Sequence, residues 1–347
     1  MAHHIHIAVL DTDIPCLAVY AQRGLYSSQF RVLLQSAAER VNANPELQLQ
    51  NGPLAVHVTA FDAVGGMLPP LECLRSLPRS PTDKAGPFSA IDAILITGSG
   101  SSAYDSNPWI RQLESFIQTV HIDFPLVKIF GSCFGHQIIA QALLSGLNNP
   151  EAEASHPTFH VEKSTQGFEF GIQPITLNQS FTSHFPMLAR HSSPATPFRI
   201  QLIHGDIVVP TPAIITAASA RHDDIQLPPG WMNIGHSAAC DIQGLYYPGR
   251  ILSYQGHFEF DVFSNRALCI EFGRRANWPA DVIQQYVEWI ERALVPGARD
   301  DDDAQAAAEA VLLFFAGEDT SVARKDLVMG LGLGGFASNG MLTPPLE

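Results

Sequence analysis

A cysteine, a histidine and a carboxylate could perform acyl chemistry in this chain if the fold brings them together. Cys133 stands in Gly131-Ser132-Cys133-Phe134-Gly135, a G-x-C-x-G run between an apolar stretch and a helical pattern. This is the form of a nucleophile elbow with sulfur in place of oxygen. The small neighbours leave room for a strained turn, for the helix that follows and for a substrate. A thiol at a helix N-terminus is biased toward its thiolate. The amide of Phe134 would face an oxyanion formed at the attacked carbonyl. A buried structural cysteine in a tight turn fits the same five residues. The other four cysteines, Cys16, Cys73, Cys240 and Cys269, lack this setting.

A catalytic thiol needs a base, and the base needs an orienting group. His257 and Glu259 follow the apolar run Ile251 to Gln255. Two residues apart in an extended segment, their side chains share a face, so Glu259 could fix the tautomer of His257. Among 14 histidines an H-x-E also arises by chance. The zinc-deaminase use of H-x-E needs a following P-C-x-x-C, which is absent. Gly98-Ser99-Gly100, after the apolar run Ile91 to Thr97, offers backbone amides for a second oxyanion donor. An ordinary strand-to-helix loop is the alternative. No Gly-Lys-Ser/Thr follows it, which argues against a phosphate loop.

These residues must be carried by strands and helices. Apolar runs alternate with helical patterns, as in a mostly parallel sheet covered by helices. Strands are expected at about Ile5 to Leu10, Ala55 to Phe61, Ala90 to Thr97, Pro125 to Phe130 and Ile251 to Gln255. The run Ala90 to Thr97 is apolar apart from Asp92, as a central parallel strand should be. Helices are expected near Gln29 to Val41, after Asn107-Pro108, from Gly135 to Leu144 and from Ala280 to Leu294. A small antiparallel part is expected from short strands at Val161 to Lys163, Gln173 to Leu177, Arg199 to His204, Ile214 to Ser219, Met232 to Ser237 and Leu245 to Tyr247. A catalytic domain is expected over residues 1–297. Residues 298–347 are expected to hold an acidic linker around Asp300 to Asp303, a short Ala-rich helix to about Ala316 and a Gly-rich tail from Met329 to Phe336.

Composition narrows the partners. The formal net charge of −14 argues against nucleic acid or an anionic membrane surface. No apolar run approaches the roughly 20 residues of a bilayer span. The N-terminus lacks the basic and apolar regions of a secretory signal. Five widely spaced cysteines without a CxxC fit reduced thiols in a cytoplasmic setting. His3, His4 and His6 lead straight into Ile7-Ala8-Val9-Leu10 and read as part of a strand, in preference to a metal tract. No metal or cofactor is expected.

Taken together and in order, the motifs resemble a known family. Gly131-Ser132-Cys133-Phe134-Gly135-His136-Gln137 is similar to the G-x-C-x-G-H-Q signature of class I glutamine amidotransferases. Tyr254-Gln255-Gly256-His257-Phe258-Glu259-Phe260 resembles that family's Y-Q-G-H-P-E-F segment, and Ile96 to Ser102 its oxyanion loop. Leu202-Ile203-His204-Gly205-Asp206 resembles its H-G-D segment, and Leu10-Asp11-Thr12-Asp13 the start of its first strand. The resemblance covers about residues 5 to 275.

It implies a flavodoxin-like α/β fold and a Cys133–His257–Glu259 triad. Oxyanion donors would come from the Gly98-Ser99 turn and Phe134, and Gln137 would bind the acyl group or hold the pocket. Phe258 and Gly100 stand where the family commonly has proline, and both lie beside the chemistry. No synthetase domain follows, so the chain resembles the stand-alone branch that includes plant γ-glutamyl peptidases and fungal proteins of secondary metabolism. The implied activity is an amidase, or a γ-glutamyl-type hydrolase or transferase, acting on a small-molecule amide. Alternatives are a glutaminase subunit that passes ammonia to a separate synthetase, a cysteine enzyme repurposed to modify a biosynthetic metabolite, and a non-catalytic binding module. A second copy of the chain or a synthetase is the expected class of protein partner.

Overall fold

The computed structural model describes residues 2–80, 83, 86–146, 158–211, 225–292 and 302–319. Five parallel strands form the centre: β1 (His3–Asp11), β2 (Leu54–Asp62), β3 (Ala93–Ile96), β4 (Lys128–Ser132) and β13 (Ile251–Tyr254). Their spatial order is β2-β1-β3-β4-β13, the doubly wound flavodoxin-like arrangement. β12 (Leu245–Tyr247) and β10 (Met232–Asn233) extend it antiparallel to seven strands. Ladders of β5 (Phe159–Lys163) with β9 (Asp206–Pro210), β6 (Glu169–Ile172) with β8 (Gln201–His204), and β7 (Thr176–Leu177) with β11 (Gly235–His236) make the small antiparallel part. The expected strand Ile214 to Ser219 lies outside the described residues.

Alternation along each strand divides the core between the two faces of the sheet. Ile5, Ile7 and Val9 of β1, Leu95 of β3 and Phe130 of β4 face one side. Ala8, Leu10, Ile94, Ile96 and Ile129 face the other. The first side is covered by α2 (Tyr26–Ala43), whose Phe30, Leu34, Ala37, Ala38 and Val41 recur at helical spacing and are buried. The second is covered by α3 (Pro108–Asp123), opened by a proline at its first position, and by α4 (Phe134–Leu144). A short α1 (Leu17–Arg23) precedes α2, and a single turn, α5 (Gln179–Thr182), follows β7. Asp92, the polar interruption before β3, accepts from the amide of His6 at 2.8 Å and pairs with Arg75 and Arg79. His3, His4 and His6 lie in β1, and no metal-holding cluster occurs among the described residues.

α6 (Val262–Arg275) follows the His257–Glu259 segment and was not legible as a helix, although Asp261 caps it by accepting from the Ser264 amide at 2.8 Å. α7 (Ala280–Glu291) packs on it. The boundary drawn at residue 297, and the Gly-rich run Met329 to Phe336, lie outside the described residues. α8 (Ala304–Ala316) is described, and it is part of the central core. Nine of its residues are buried, it lies against α2, and Phe315 meets Phe130 of β4 edge to face at 6.4 Å. Beyond it, the fully buried Asp319 accepts from Tyr246 Oη and the Gly249 amide, both at 2.9 Å, with Lys128 Nζ 3.6 Å away. Asp303 pairs with Arg190 and accepts from the Arg199 amide at 2.9 Å. No helix among the described residues is long and apolar enough to cross a membrane.

Candidate active site

Cys133 lies between the end of β4 and the first residue of α4, with φ 50° and ψ −104°. A non-glycine residue in this region is strained, and the neighbourhood holds it there. The Cys133 amide donates to the Tyr254 carbonyl at 2.8 Å. The two flanking glycines are sterically required. A Cβ on Gly131 would lie 2.3 Å from the Gly135 backbone, and one on Gly135 would lie 2.3 Å from the Ile96 carbonyl oxygen. The Phe134 amide opens α4 and has no intrahelical acceptor, while its ring is buried against Trp109.

His257 and Glu259 come together as their spacing implied. Nδ1 of His257 is 2.7 Å from Oε1 of Glu259, and both residues are buried. The Nε2 of His257 is buried and without a hydrogen-bond partner. Burial disfavours a charged ring here. The Glu259 carboxylate and then Cys133 outweigh it, raising His257 to about 10. The backbone of His257 is fixed to β8 by donation to the Gln201 carbonyl at 2.8 Å.

Gly98 joins the two halves of the site. A Cβ there would lie 2.8 Å from Cε1 of His257 and 3.6 Å from Cβ of Cys133, so only glycine lets the loop sit against both. That loop is held by the end of β1. The Thr12 amide donates to Thr97 Oγ1 at 3.0 Å, and the single Thr12 hydroxyl proton is within reach of both the Thr97 carbonyl at 3.0 Å and the Gly98 carbonyl at 2.9 Å. The Gly100 amide donates to Asp13 Oδ2 at 2.8 Å, a bond that proline at this position could not make. Ser99 begins the polar wall of a cavity of about 250 Å³ that also contains Cys133, Gln137 and Asp206.

Unlike Gln137, several contributors were not singled out from the sequence. The hydroxyl of Ser132, the residue before the cysteine, donates to Glu259 Oε1 at 3.1 Å. Gln255 is fully buried and aims its side-chain N–H at Cys133 Sγ, 3.6 Å away. Gln137 donates to Gln255 Oε1 at 3.3 Å and to the Asp206 carbonyl at 3.0 Å, so it holds Gln255 as well as lining the cavity. The ring of Phe260 lies flat on His257. His136 of the G-H-Q run is fully buried, bound to Ser253 Oγ at 2.9 Å, and pushed down to about 3 by burial, so it is a neutral strut between α4 and β13.

Phe258 departs from its expected place beside the chemistry. Its ring points to the other face of the sheet, edge to face with Phe30 at 5.4 Å and Phe130 at 5.8 Å. The alternation that pairs His257 with Glu259 also turns residue 258 away from them. Its effect on the site is therefore through core packing.

No family model matches the chain. Relatives in sequence do. A provisionally named glutamine amidotransferase-like protein of Schizosaccharomyces pombe is 28% identical over 259 residues, spanning 74% of this chain and 79% of that protein. A provisionally named glutamine amidotransferase of Saccharomyces cerevisiae is 30% identical, over 48% of this chain and 53% of its own length. γ-Glutamyl peptidase 5 of Arabidopsis thaliana is 24% identical, over 49% of this chain and 54% of its own length. This chain thus spans about half the length of the latter two. In three dimensions, a glutamine amidotransferase of Thermotoga maritima superposes with a TM-score of 0.50 at 15% identity, covering 90% of this chain and 99% of that one. That likeness is one of fold.

Proposed function

We propose that this chain, a sequence relative of the glutamine amidotransferase-like proteins, is a cysteine-dependent amidase that hydrolyses or transfers the acyl half of a small γ-glutamyl-type amide. The observation that carries the reading is the state of His257. Its Nδ1 is bound to Glu259 at 2.7 Å, its Nε2 is buried without a protein partner, and its ring shares Gly98 as a neighbour with Cys133. A histidine oriented at one nitrogen and open at the other, beside a strained cysteine, is the arrangement of a nucleophile and its proton carrier.

In this reading the Cys133 thiolate adds to the amide carbonyl carbon. The amides of Ser99 and Phe134 receive the oxygen as it gains charge. The His257 imidazolium gives its proton to the departing amine as the C–N bond breaks, which leaves a thioester on Cys133. Water then gives a proton to His257 and attacks the thioester, and the acid leaves as the thiolate returns. An amine in place of water gives transfer. Glu259 keeps the imidazolium oriented and compensated, and Ser132 keeps Glu259 in place. Lys163 and Asp206 on the cavity wall supply a cation and a carboxylate for the charged ends of a γ-glutamyl group. A place in small-molecule biosynthesis belongs to the same proposal.

The test is turnover of γ-glutamyl amides by wild type and Cys133→Ala, with mass spectrometry of the quenched protein. The expected result is an acyl adduct on wild-type Cys133 and loss of both adduct and turnover in the variant. Full activity in Cys133→Ala overturns the mechanism. Glutamine hydrolysis that rises sharply only with an added synthetase would replace the stand-alone reading by that of an ammonia-supplying subunit.

A further inference from the structure

The lining of the cavity above Cys133 is of two chemical kinds. Its polar side chains include Ser102, Lys163 and Asp206, and its aromatic ones are the rings of Phe168, Phe272 and Trp278. The aromatic lining is fixed by the protein's own packing. Phe168 is stacked on Phe170 at 5.6 Å and 25°, and it meets Trp278 edge to face at 4.9 Å. Beneath it, Gly205 of the H-G-D run leaves room for the ring, since a Cβ there would lie 2.7 Å from it. Trp278 is braced in turn by Tyr286 at 5.5 Å.

Phe272 explains the glycine in the oxyanion loop. A Cβ on Gly100 would lie 3.0 Å from its ring, so the bare backbone at residue 100 and the bulky side chain at residue 272 fit each other. Despite this bracing, Phe168 remains 39% exposed. A rigid aromatic face kept open beside a nucleophile loses little entropy when it receives a flat partner.

We infer that the Phe168–Phe272–Trp278 wall is a subsite for a planar apolar group on the amine half of the substrate. The inference rests on the amidase reading above. In free glutamine the departing group is ammonia, which has nothing to offer three rings. The acyl half, if γ-glutamyl, carries one ammonium and one carboxylate, and the polar lining holds the complementary Asp206 carboxylate and Lys163 ammonium. The aromatic lining is left for whatever the amine carries. The substrate class is a γ-glutamyl amide of an arylalkylamine or a similarly flat amine.

The experiment compares γ-glutamyl benzylamide with γ-glutamyl methylamide, whose leaving amines are both primary alkylamines. The full chain is assayed as wild type, Phe168→Ala, Phe168→Leu and Trp278→Leu, with thermal melting to establish folding. Wild type should favour the benzylamide by about tenfold or more in kcat/KM. Phe168→Ala and Trp278→Leu should lose about tenfold on the benzylamide and less than about twofold on the methylamide. Phe168→Leu keeps apolar bulk without a flat face, so it should also lose most of the preference. Equal rates for the two amides in wild type overturn the subsite, as does an equal fall for both amides in the variants.

If neither amide is cleaved, the amidase reading fails, and the subsite is decided separately by calorimetric titration of Cys133→Ala with each amide. Tighter binding of the benzylamide supports the wall. Equal binding, or none, overturns it.

Discussion

The imidazole of His257 lies flat against the ring of Phe260, with centroids 4.1 Å apart and planes 9° from parallel. An aromatic face attracts a cation and, at this distance, also sets the tilt of the imidazole. Phe260→Leu keeps apolar bulk and removes the flat face. We expect kcat to fall by about tenfold with little change in KM. The alkaline limb of the pH–rate profile should move to lower pH, because the imidazolium loses its support. A profile identical to wild type would show that the stack is packing alone.

His257 also makes stability depend on pH. Its ring is raised from 6.5 to about 10, with burial opposing and Glu259 and Cys133 outweighing it. A group whose folded value is raised contributes stability in full below its unfolded value and loses it as pH rises through the folded one. The wild-type Tm should therefore decline between pH 6.5 and about 10, and Glu259→Gln should decline less steeply over the same window. Melting curves recorded at half-unit pH steps measure both slopes. Parallel slopes would remove the His257–Glu259 pair as their cause.

Gln255 places an N–H against the sulfur of Cys133 at 3.6 Å from a fully buried position. A hydrogen bond to a charged group contributes about 1.5–3 kcal/mol. Gln255→Leu removes the donor at similar size. Alkylation of Cys133 by iodoacetamide at neutral pH should slow by about tenfold or more, read by mass of the modified peptide over time. An unchanged rate would mean that the amide only fills space.

Asp319 is fully buried, with two donors on one oxygen and Lys128 near the other. Removing one member of a buried ion pair typically costs about 3–5 kcal/mol, because the other is left uncompensated. Asp319→Asn should lose stability on that scale in urea unfolding, with kcat of the folded protein near wild type. Wild-type stability in the variant would show that Lys128 finds another partner.

The Cys133 turn and the closeness of His257 to Glu259 were legible because the proposed chemistry needs fixed spacing: glycines two residues either side of the sulfur, and two side chains on one face of an extended segment. The parallel strands were legible from unbroken apolar runs. Phe260 was not, because strand alternation assigns it to the side opposite His257. The chain turns after Glu259 and brings the ring back. Ser132 and Gln255 were hidden for a related reason. A serine and a glutamine beside a motif look like spacers until the partner 122 to 127 residues away is in place. Phe258 showed the reverse error, in which nearness in sequence suggested nearness to the reaction. Helix α8 was visible as an apolar segment, but an all-round apolar helix does not say which sheet face it will cover.

That cover sets an order of events during synthesis. Domains assemble as their segments leave the ribosome, N-terminal parts first. The turn that holds Cys133, the strand that leads to His257 and the sheet between them all precede residues 304–316 in the chain. Yet Phe130, on the strand that ends at the cysteine, stays without its Phe315 neighbour until α8 is made. A nascent chain that already holds Cys133, His257 and Glu259 therefore still lacks the α8 cover on the Phe130 side of the sheet. The contacts that hold Cys133 can form before that face is covered, since Tyr254 and Gln255 also precede α8 in the chain.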